Sequence, residues 1–209
     1  MTNNKLRIAL STLLIIGFLF FNCLLAFAQC EPVRIMPLGD SITDEYNVDG
    51  SYRKDLYDLL EAAGYTPDIV DPTAIPRFDF VGSQNDGALA DPDHEGHSGW
   101  DADEIRDSII GWLNAKPAEI VLLHIGTNDM STSQTAADVA VEIGQILDNI
   151  DTYSPDVWVI LARIINRGDG DHSKTTDLNN LIQDLADDRI GSGDKIIVVD
   201  MENALDYPG

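Results

Sequence analysis

The segment VRIMPLGDSIT, residues 33–43, joins an apolar run to an abrupt polar turn. Val33–Leu38 has the composition of a short buried strand, and Gly39, Asp40 and Ser41 follow it at once. Gly-Asp-Ser is a common turn sequence, but it also suits a serine nucleophile held at the edge of a sheet. The second interpretation requires oxyanion donors and a base elsewhere in the chain.

The rest of the chain alternates strand-like and helix-like segments. Further strands are predicted at Phe78–Val81, Glu119–Ile125, Val157–Ile164 and Lys195–Val199. The amphipathic helices between them include one that ends at Gly64 and one that opens with an Asp101–Glu104 capping box. This order predicts an α/β protein with three α/β/α layers and a flavodoxin-like parallel sheet of five strands. In such sheets the active site lies beyond the carboxyl ends of the strands.

Candidate catalytic residues follow three of these predicted strands. Ser41 follows the first, a long loop containing DPDHEGHSGWDADEI with Gly99 follows the second, and Asn128 follows the third. The Ser41 N–H, the Gly99 N–H and the Asn128 side-chain amide would supply three oxyanion donors. Glycine permits close approach, and asparagine donates without carrying charge. Each residue alone is weak support, but their order on successive loops of one sheet indicates a site.

In these blocks the sequence resembles the SGNH hydrolases, also called the GDSL esterase family. Gly39-Asp40-Ser41 resembles the nucleophile block, Gly99 the oxyanion glycine, and Gly126-x-Asn128-Asp129 the asparagine block. The chain is most similar to the acetylxylan-esterase branch, carbohydrate esterase family three. The blocks that carry this likeness are RIMPLGDSIT (34–43), GSYR (50–53), DFVGS (79–83), DHEGHSGW (93–100) and LLHIGTNDM (122–130).

The resemblance implies a serine ester hydrolase that deacetylates a polysaccharide such as xylan through a Ser41 acyl-enzyme. Two alternatives stay open: a lipid-type GDSL esterase or lysophospholipase, and a non-catalytic carbohydrate-binding protein. An acylated carbohydrate or another small ester is the expected partner.

The family's base is a histidine in an Asp-x-x-His motif after the last strand, and no such motif follows DKIIVVD here. We therefore expect the sequence to be truncated before the catalytic pair. Two internal matches exist, Asp91-x-x-His94 and Asp169-x-x-His172, and His172 is the better substitute. His94 and His97 belong to the block that the resemblance makes structural, ordering the loop that presents Gly99. His124 lies in a predicted strand, which is typical of a core histidine.

The amino terminus predicts a secretory signal peptide over residues 1–28, ahead of a hydrolase domain over residues 31–209. Lys5 and Arg7 precede a long apolar stretch, and Ala26-Phe27-Ala28 offers a cleavage site before Gln29. The length of the apolar stretch leaves an uncleaved membrane anchor as the competing interpretation. The expected location is extracellular or periplasmic.

Charge and composition exclude several function classes. The formal net charge is −23, and removing residues 1–28, which hold two basic and no acidic residues, leaves −25. Such a surface repels nucleic acid and anionic lipid. The HEGH stretch lacks the spacing of H-E-x-x-H, and Asp169-Gly170-Asp171 lacks the rest of an EF-hand loop, so no metal is expected. No Gly-x-Gly-x-x-Gly follows a strand, so no organic cofactor is expected either.

Overall fold

The structure is a computed structural model that describes residues 31–44, 51–74, 76–166 and 172–202. The predicted signal peptide, Gly50, Asp169 and the segment after Glu202 lie outside these residues. The strands are β1 Val33–Gly39, β2 Thr66–Pro67, β3 Arg77–Phe80, β4 Gln84–Asn85, β5 Asp93–Gly96, β6 Ile120–His124, β7 Trp158–Arg163 and β8 Ile196–Asp200. The helices are α1 Ser51–Ala62, α2 Ala102–Ala115, α3 Ala136–Tyr153 and α4 Ser173–Ser192, with a short 3₁₀ turn at Asp129–Ser131.

The five predicted strands form the body of one parallel sheet. Its strand order is β2-β3-β1-β6-β7-β8, and every neighbouring pair along this path is parallel. Without the two-residue β2, this is the flavodoxin-like order that the sequence predicts. The register of β1 against β6 runs from Ile35–Ile120 to Gly39–His124, so the carboxyl ends of both strands reach the same edge.

The region after β3 differs from the prediction of a single long loop. Asp93–Gly96 forms β5, which pairs parallel with the end of β1 through Leu38–Glu95 and Gly39–Gly96. It also pairs antiparallel with β4. Buried strands are usually apolar, but β5 is polar, and its His94 and Glu95 side chains are fully buried.

The core is divided between the two faces of the sheet. On one face, α2, α3 and α4 pack on apolar side chains of all the central strands, including Met36, Leu123 and Leu161. On the other face, a smaller cluster forms where Tyr57 of α1 meets two phenylalanines of β3. The predicted three-layer architecture is therefore confirmed. No described helix has the length and apolar character needed to cross a membrane.

Three buried carboxyl groups give the fold a distinctive pH dependence. Asp40, Asp91 and Asp129 are at most 3% exposed, and burial raises the pKa of each to about 6. The folded state therefore holds these protons more tightly than the unfolded chain does. Their stabilising contribution is complete below about pH 4 and is lost as the pH rises to about 6.

Replacing Asp91 with asparagine is expected to weaken this dependence. As the pH rises from 4.5 to 7.5, the wild type should lose stability that Asp91→Asn keeps. The unfolding free energy of the variant should therefore increase by roughly 1–3 kcal/mol relative to that of the wild type. Urea denaturation at several pH values measures this change. Asp156→Asn is the control, because the exposed Asp156 carboxylate pairs with Lys195, which lowers its pKa and reverses the sign. Parallel pH curves for wild type and Asp91→Asn would contradict the assignment.

Candidate active site

Ser41 lies in a tight turn immediately after β1. The Thr43 and Asp44 amides donate to the Asp40 carbonyl at 3.0 Å, and the Ile42 amide donates to Asp40 Oδ1 at 2.9 Å. None of these bonds uses the Ser41 amide, which leaves that N–H available as a donor. The Ser41 side chain is partly exposed, and its hydroxyl has no hydrogen-bond partner among the described residues. The turn can therefore present both a nucleophile and one oxyanion donor.

Glycine is required on both sides of this turn by close backbone approach. A Cβ on Gly39 would lie 2.1 Å from the His124 carbonyl oxygen, and a Cβ on Gly96 would lie 2.5 Å from the Asp44 nitrogen. A side chain on Gly39 would push β1 away from β6, and a side chain on Gly96 would push β5 away from the Ser41 turn. The glycine of Gly-Asp-Ser thus fixes where the Ser41 turn lies on the sheet.

Asp40 begins the Ser41 turn and lies near Thr127 of the loop that follows β6. Its carboxyl group is fully buried, and Oδ1 accepts the Ile42 amide at 2.9 Å. Burial raises the pKa of Asp40 to about 6, while the bond from Ile42 and the nearby Thr127 side chain act in the opposite direction. Asp40 therefore positions the turn, and nothing in its contacts requires it to exchange protons with a substrate.

Gly99 lies in a second turn, between β5 and α2. The Trp100 amide donates to the His97 carbonyl at 3.2 Å, and Gly99 occupies the third position with φ +85°. That geometry fits a type II turn, which favours glycine at this position. The Gly99 amide lies outside the bond that closes the turn. No heavy atom within 4 Å would meet a Cβ on Gly99, so its backbone conformation, and not crowding, accounts for the glycine.

Asn128 and Asp129 attach the loop after β6 to the start of α2. Asn128 Nδ2 donates to the Trp100 carbonyl at 2.8 Å, and the Ala102 amide donates to Asp129 Oδ1 at 3.0 Å. Since an amide nitrogen carries two hydrogens, one Asn128 N–H remains for a ligand. The predicted capping box is present, with the Asp101 amide bound to Glu104 Oε2.

The strand register brings these three loops to one edge of the sheet. Gly39 pairs with Gly96 on one side and with His124 on the other. Ser41, Gly99 and Asn128 follow those paired residues by two, three and four positions. Their assignment as nucleophile and oxyanion donors stays a prediction.

Arg53 of α1 is a buried residue that the sequence did not single out for a role. Its guanidinium group donates to the carbonyls of Thr43, Pro92 and Asp86 at 2.9, 2.9 and 3.1 Å. These bonds join the end of the Ser41 turn to the segment before β5. The only sequence signal was its place in the GSYR block of the family resemblance.

The histidines of the DHEGHSGW block have structural partners. His94 is fully buried, with Nε2 2.6 Å from Asp86 Oδ1 and Nδ1 accepting the Gly96 amide at 3.0 Å. Burial lowers the pKa of His94. His97 Nε2 lies 2.8 Å from Glu95 Oε1. These contacts agree with the structural role inferred for both residues.

The remaining two histidines differ from each other. His124 is buried, and burial lowers its pKa to about 4, so the ring is neutral. Its Nε2 accepts the Ile165 amide at 3.3 Å, but Nδ1 lacks a partner among the described residues, so this core histidine is only half satisfied. His172 is partly buried at the amino end of α4, and its Nδ1 also lacks a described partner.

Asp44, Asp86 and His94 place ligand atoms within 4.8 Å of one another, as a metal site would. Their hydrogen bonds favour another interpretation. Because His94 Nδ1 accepts an N–H, the neutral ring carries its proton on Nε2 and donates it to Asp86. The nearby Arg53 also supplies a positive charge to this cluster. The three residues fit a hydrogen-bonded network better than a cation site.

Comparison with known proteins identifies the family of this chain. The profile of the GDSL-like Lipase/Acylhydrolase family matches residues 38–209. A multidomain esterase from Ruminococcus flavefaciens is 29% identical over 194 residues, which is 83% of this chain and 25% of that protein. The chain therefore spans about a quarter of the length of this curated relative.

Solved structures agree with the family match. The family 3 carbohydrate esterase of Clostridium thermocellum is 31% identical, with a TM-score of 0.72 over 85% of this chain and 81% of that one. A family 3 carbohydrate esterase from Talaromyces cellulolyticus is 28% identical, with a TM-score of 0.69 over 84% and 82%. The chain belongs to the GDSL-like lipase/acylhydrolase family, the SGNH hydrolases, and is related to the carbohydrate esterases.

Proposed function

We propose that this protein is a secreted serine esterase that removes acetyl groups from a polysaccharide such as xylan. The observation that carries the proposal is the Ser41 turn, whose amide and hydroxyl lie outside the turn's own hydrogen bonds, at the edge shared with Gly99 and Asn128. The likeness to two family 3 carbohydrate esterases supports a carbohydrate ester as the substrate class.

The reaction follows from the proposed donors. Ser41 Oγ attacks the acetyl carbonyl carbon and loses its proton to a base. The developing oxyanion accepts hydrogen bonds from the Ser41 N–H, the Gly99 N–H and the free Asn128 amide hydrogen. Collapse of the tetrahedral intermediate expels the sugar hydroxyl, which takes up the proton. Water then attacks the acyl-enzyme, and acetate leaves.

In this proposal the base and its orienting carboxylate come from an Asp-x-x-His segment that follows residue 209. Parallel β8 ends at Asp200 on the same edge of the sheet as β1, which supports a base supplied by the chain that follows β8. Three of the four histidines, His94, His97 and His124, make ring hydrogen bonds that indicate a structural role. His172 is the alternative base, because its ring lies at the active-site edge of β7 and α4 with one nitrogen unpartnered among the described residues.

Expression of the complete reading frame with its own amino terminus tests the proposal. We expect exported protein that begins at Gln29 and releases acetate from acetylated xylan, with turnover of a long-acyl ester at least about 10-fold slower. A Ser41→Ala variant is the control for contaminating esterases. Preference for the long-acyl ester would instead favour a lipid-type esterase. Binding of xylan without acetate release would favour a carbohydrate-binding protein.

A further inference from the structure

The turn from His97 to Trp100 is held from its β5 side by a fully buried carboxylate. Glu95 is 0% exposed and accepts three hydrogen bonds: the Ser83 amide at 2.7 Å, the Ser83 hydroxyl at 2.6 Å, and His97 Nε2 at 2.8 Å. A buried carboxylate is costly unless donors surround it, and here they do. His97 is therefore fixed at its ring nitrogen.

The His97 ring also stacks on two tryptophans, whose own ring centroids lie 5.8 Å apart. It stacks on Trp100 with a centroid distance of 4.3 Å and an interplanar angle of 22°, and on Trp112 of α2 at 4.7 Å and 11°. Its backbone amide donates to the Gly39 carbonyl at 2.9 Å, two residues before Ser41. His97 is thus bound to the nucleophile strand through its backbone and to α2 through its side chain.

Trp100 connects the His97 ring to Asn128, one of the proposed oxyanion donors. Its ring packs on His97, while its carbonyl accepts one hydrogen from Asn128 Nδ2 at 2.8 Å. That bond decides the orientation of the Asn128 amide and hence the direction of the second hydrogen. Gly99, the other proposed donor, lies between His97 and Trp100 in the same turn.

We infer that Glu95 and His97 are positioning residues for the oxyanion hole, acting on Asn128 through Trp100 and on Gly99 through the turn. The inference rests on the proposed function. Apolar side chains could fill the same volume with equal or greater stability, since buried charged groups rarely add net stability. A buried Glu–His pair is better explained by the geometry that it fixes. Neither residue touches the reacting atoms in this role.

The test is steady-state kinetics on 4-nitrophenyl acetate with the complete protein. His97→Phe keeps an aromatic ring stacked on the tryptophans but removes the bond to Glu95, and Glu95→Gln removes the charge. We expect kcat to fall by about 10-fold or more in each, with KM changed by less than about 2-fold, because a misdirected donor weakens binding of the transition state alone. Glu119→Gln, at the opposite end of the sheet, is the matched control and should keep wild-type kinetics.

A double-mutant cycle separates positioning from stability. Because Asn128→Ala removes one of the two routes and leaves that through Gly99, His97→Phe should slow Asn128→Ala by a clearly smaller factor than it slows the wild type. Fully multiplicative losses, unchanged kcat in both single variants, or loss to the Ser41→Ala level in His97→Phe would each overturn the inference. If Glu95→Gln does not fold, the kinetics of His97→Phe decide the inference alone, because His97 is only partly buried. If Asn128→Ala keeps full activity, the proposed donor itself is wrong, which is a separate failure.

Discussion

Replacing Asn128 with alanine in the complete protein is expected to lower kcat by roughly 10²–10³, the usual cost of one oxyanion donor. The side chain contacts the Trp100 carbonyl with one amide hydrogen and has the other free for the developing negative charge. KM should change little, because the ground-state carbonyl oxygen is a weaker acceptor than the oxyanion. Initial rates on a small acetyl ester, with active sites titrated, measure the effect.

Two further variants make this result specific. Ser41→Ala removes the nucleophile and should lower kcat more than Asn128→Ala does. Asn149→Ala is the matched amide control, since Asn149 Nδ2 also donates to a backbone carbonyl, that of Arg106 at 2.8 Å, but does so between α3 and α2. An Asn128→Ala enzyme with wild-type kcat would show that this donor is misassigned.

The sequence predicted the parts of the fold whose buried side chains are apolar. Strands such as β6 and β7 are short runs of leucine, isoleucine and valine, so their hydrophobicity alone marks them as buried. The flavodoxin-like order followed from the alternation of these strands with amphipathic helices. The loops that carry Ser41, Gly99 and Asn128 could then be located, because parallel strands end at one edge.

The part that could not be predicted is buried through polar contacts. β5 has the sequence DHEG, and its strand character depends on pairing with the distant β1 and on side-chain partners for His94 and Glu95, which are Asp86 and Ser83. Arg53 is likewise buried because three carbonyls from distant segments accept its hydrogens. Neither side-chain periodicity nor propensity carries that information, since charged residues are usually exposed.

A protein comprising residues 31–209 alone is expected to be poorly soluble and to have at most about 1% of the activity of a version extended past the proposed base. Without a base, Ser41 is an ordinary alcohol, and general-base help is typically worth about 10²–10⁴ in rate. The sheet also has an apolar region on the face where α1 packs over β1 and β3: Trp158 of β7 and Ile197 of β8 are 43% and 48% exposed. Parallel sheets are normally covered on both faces, so this surface favours aggregation.

Two measurements separate the causes of that expected loss. Ile197→Ser should improve the solubility of residues 31–209 without raising turnover, because it changes the exposed face and supplies no proton acceptor. In the extended protein the same substitution should lower Tm if an added segment covers β8, since a buried isoleucine is then lost. Turnover by residues 31–209 comparable to the extended protein would refute the view that the base lies beyond residue 209. His172→Gln would then decide the matter: loss of that turnover would make His172 the base, placed by the loop between β7 and α4 at the same edge as Ser41.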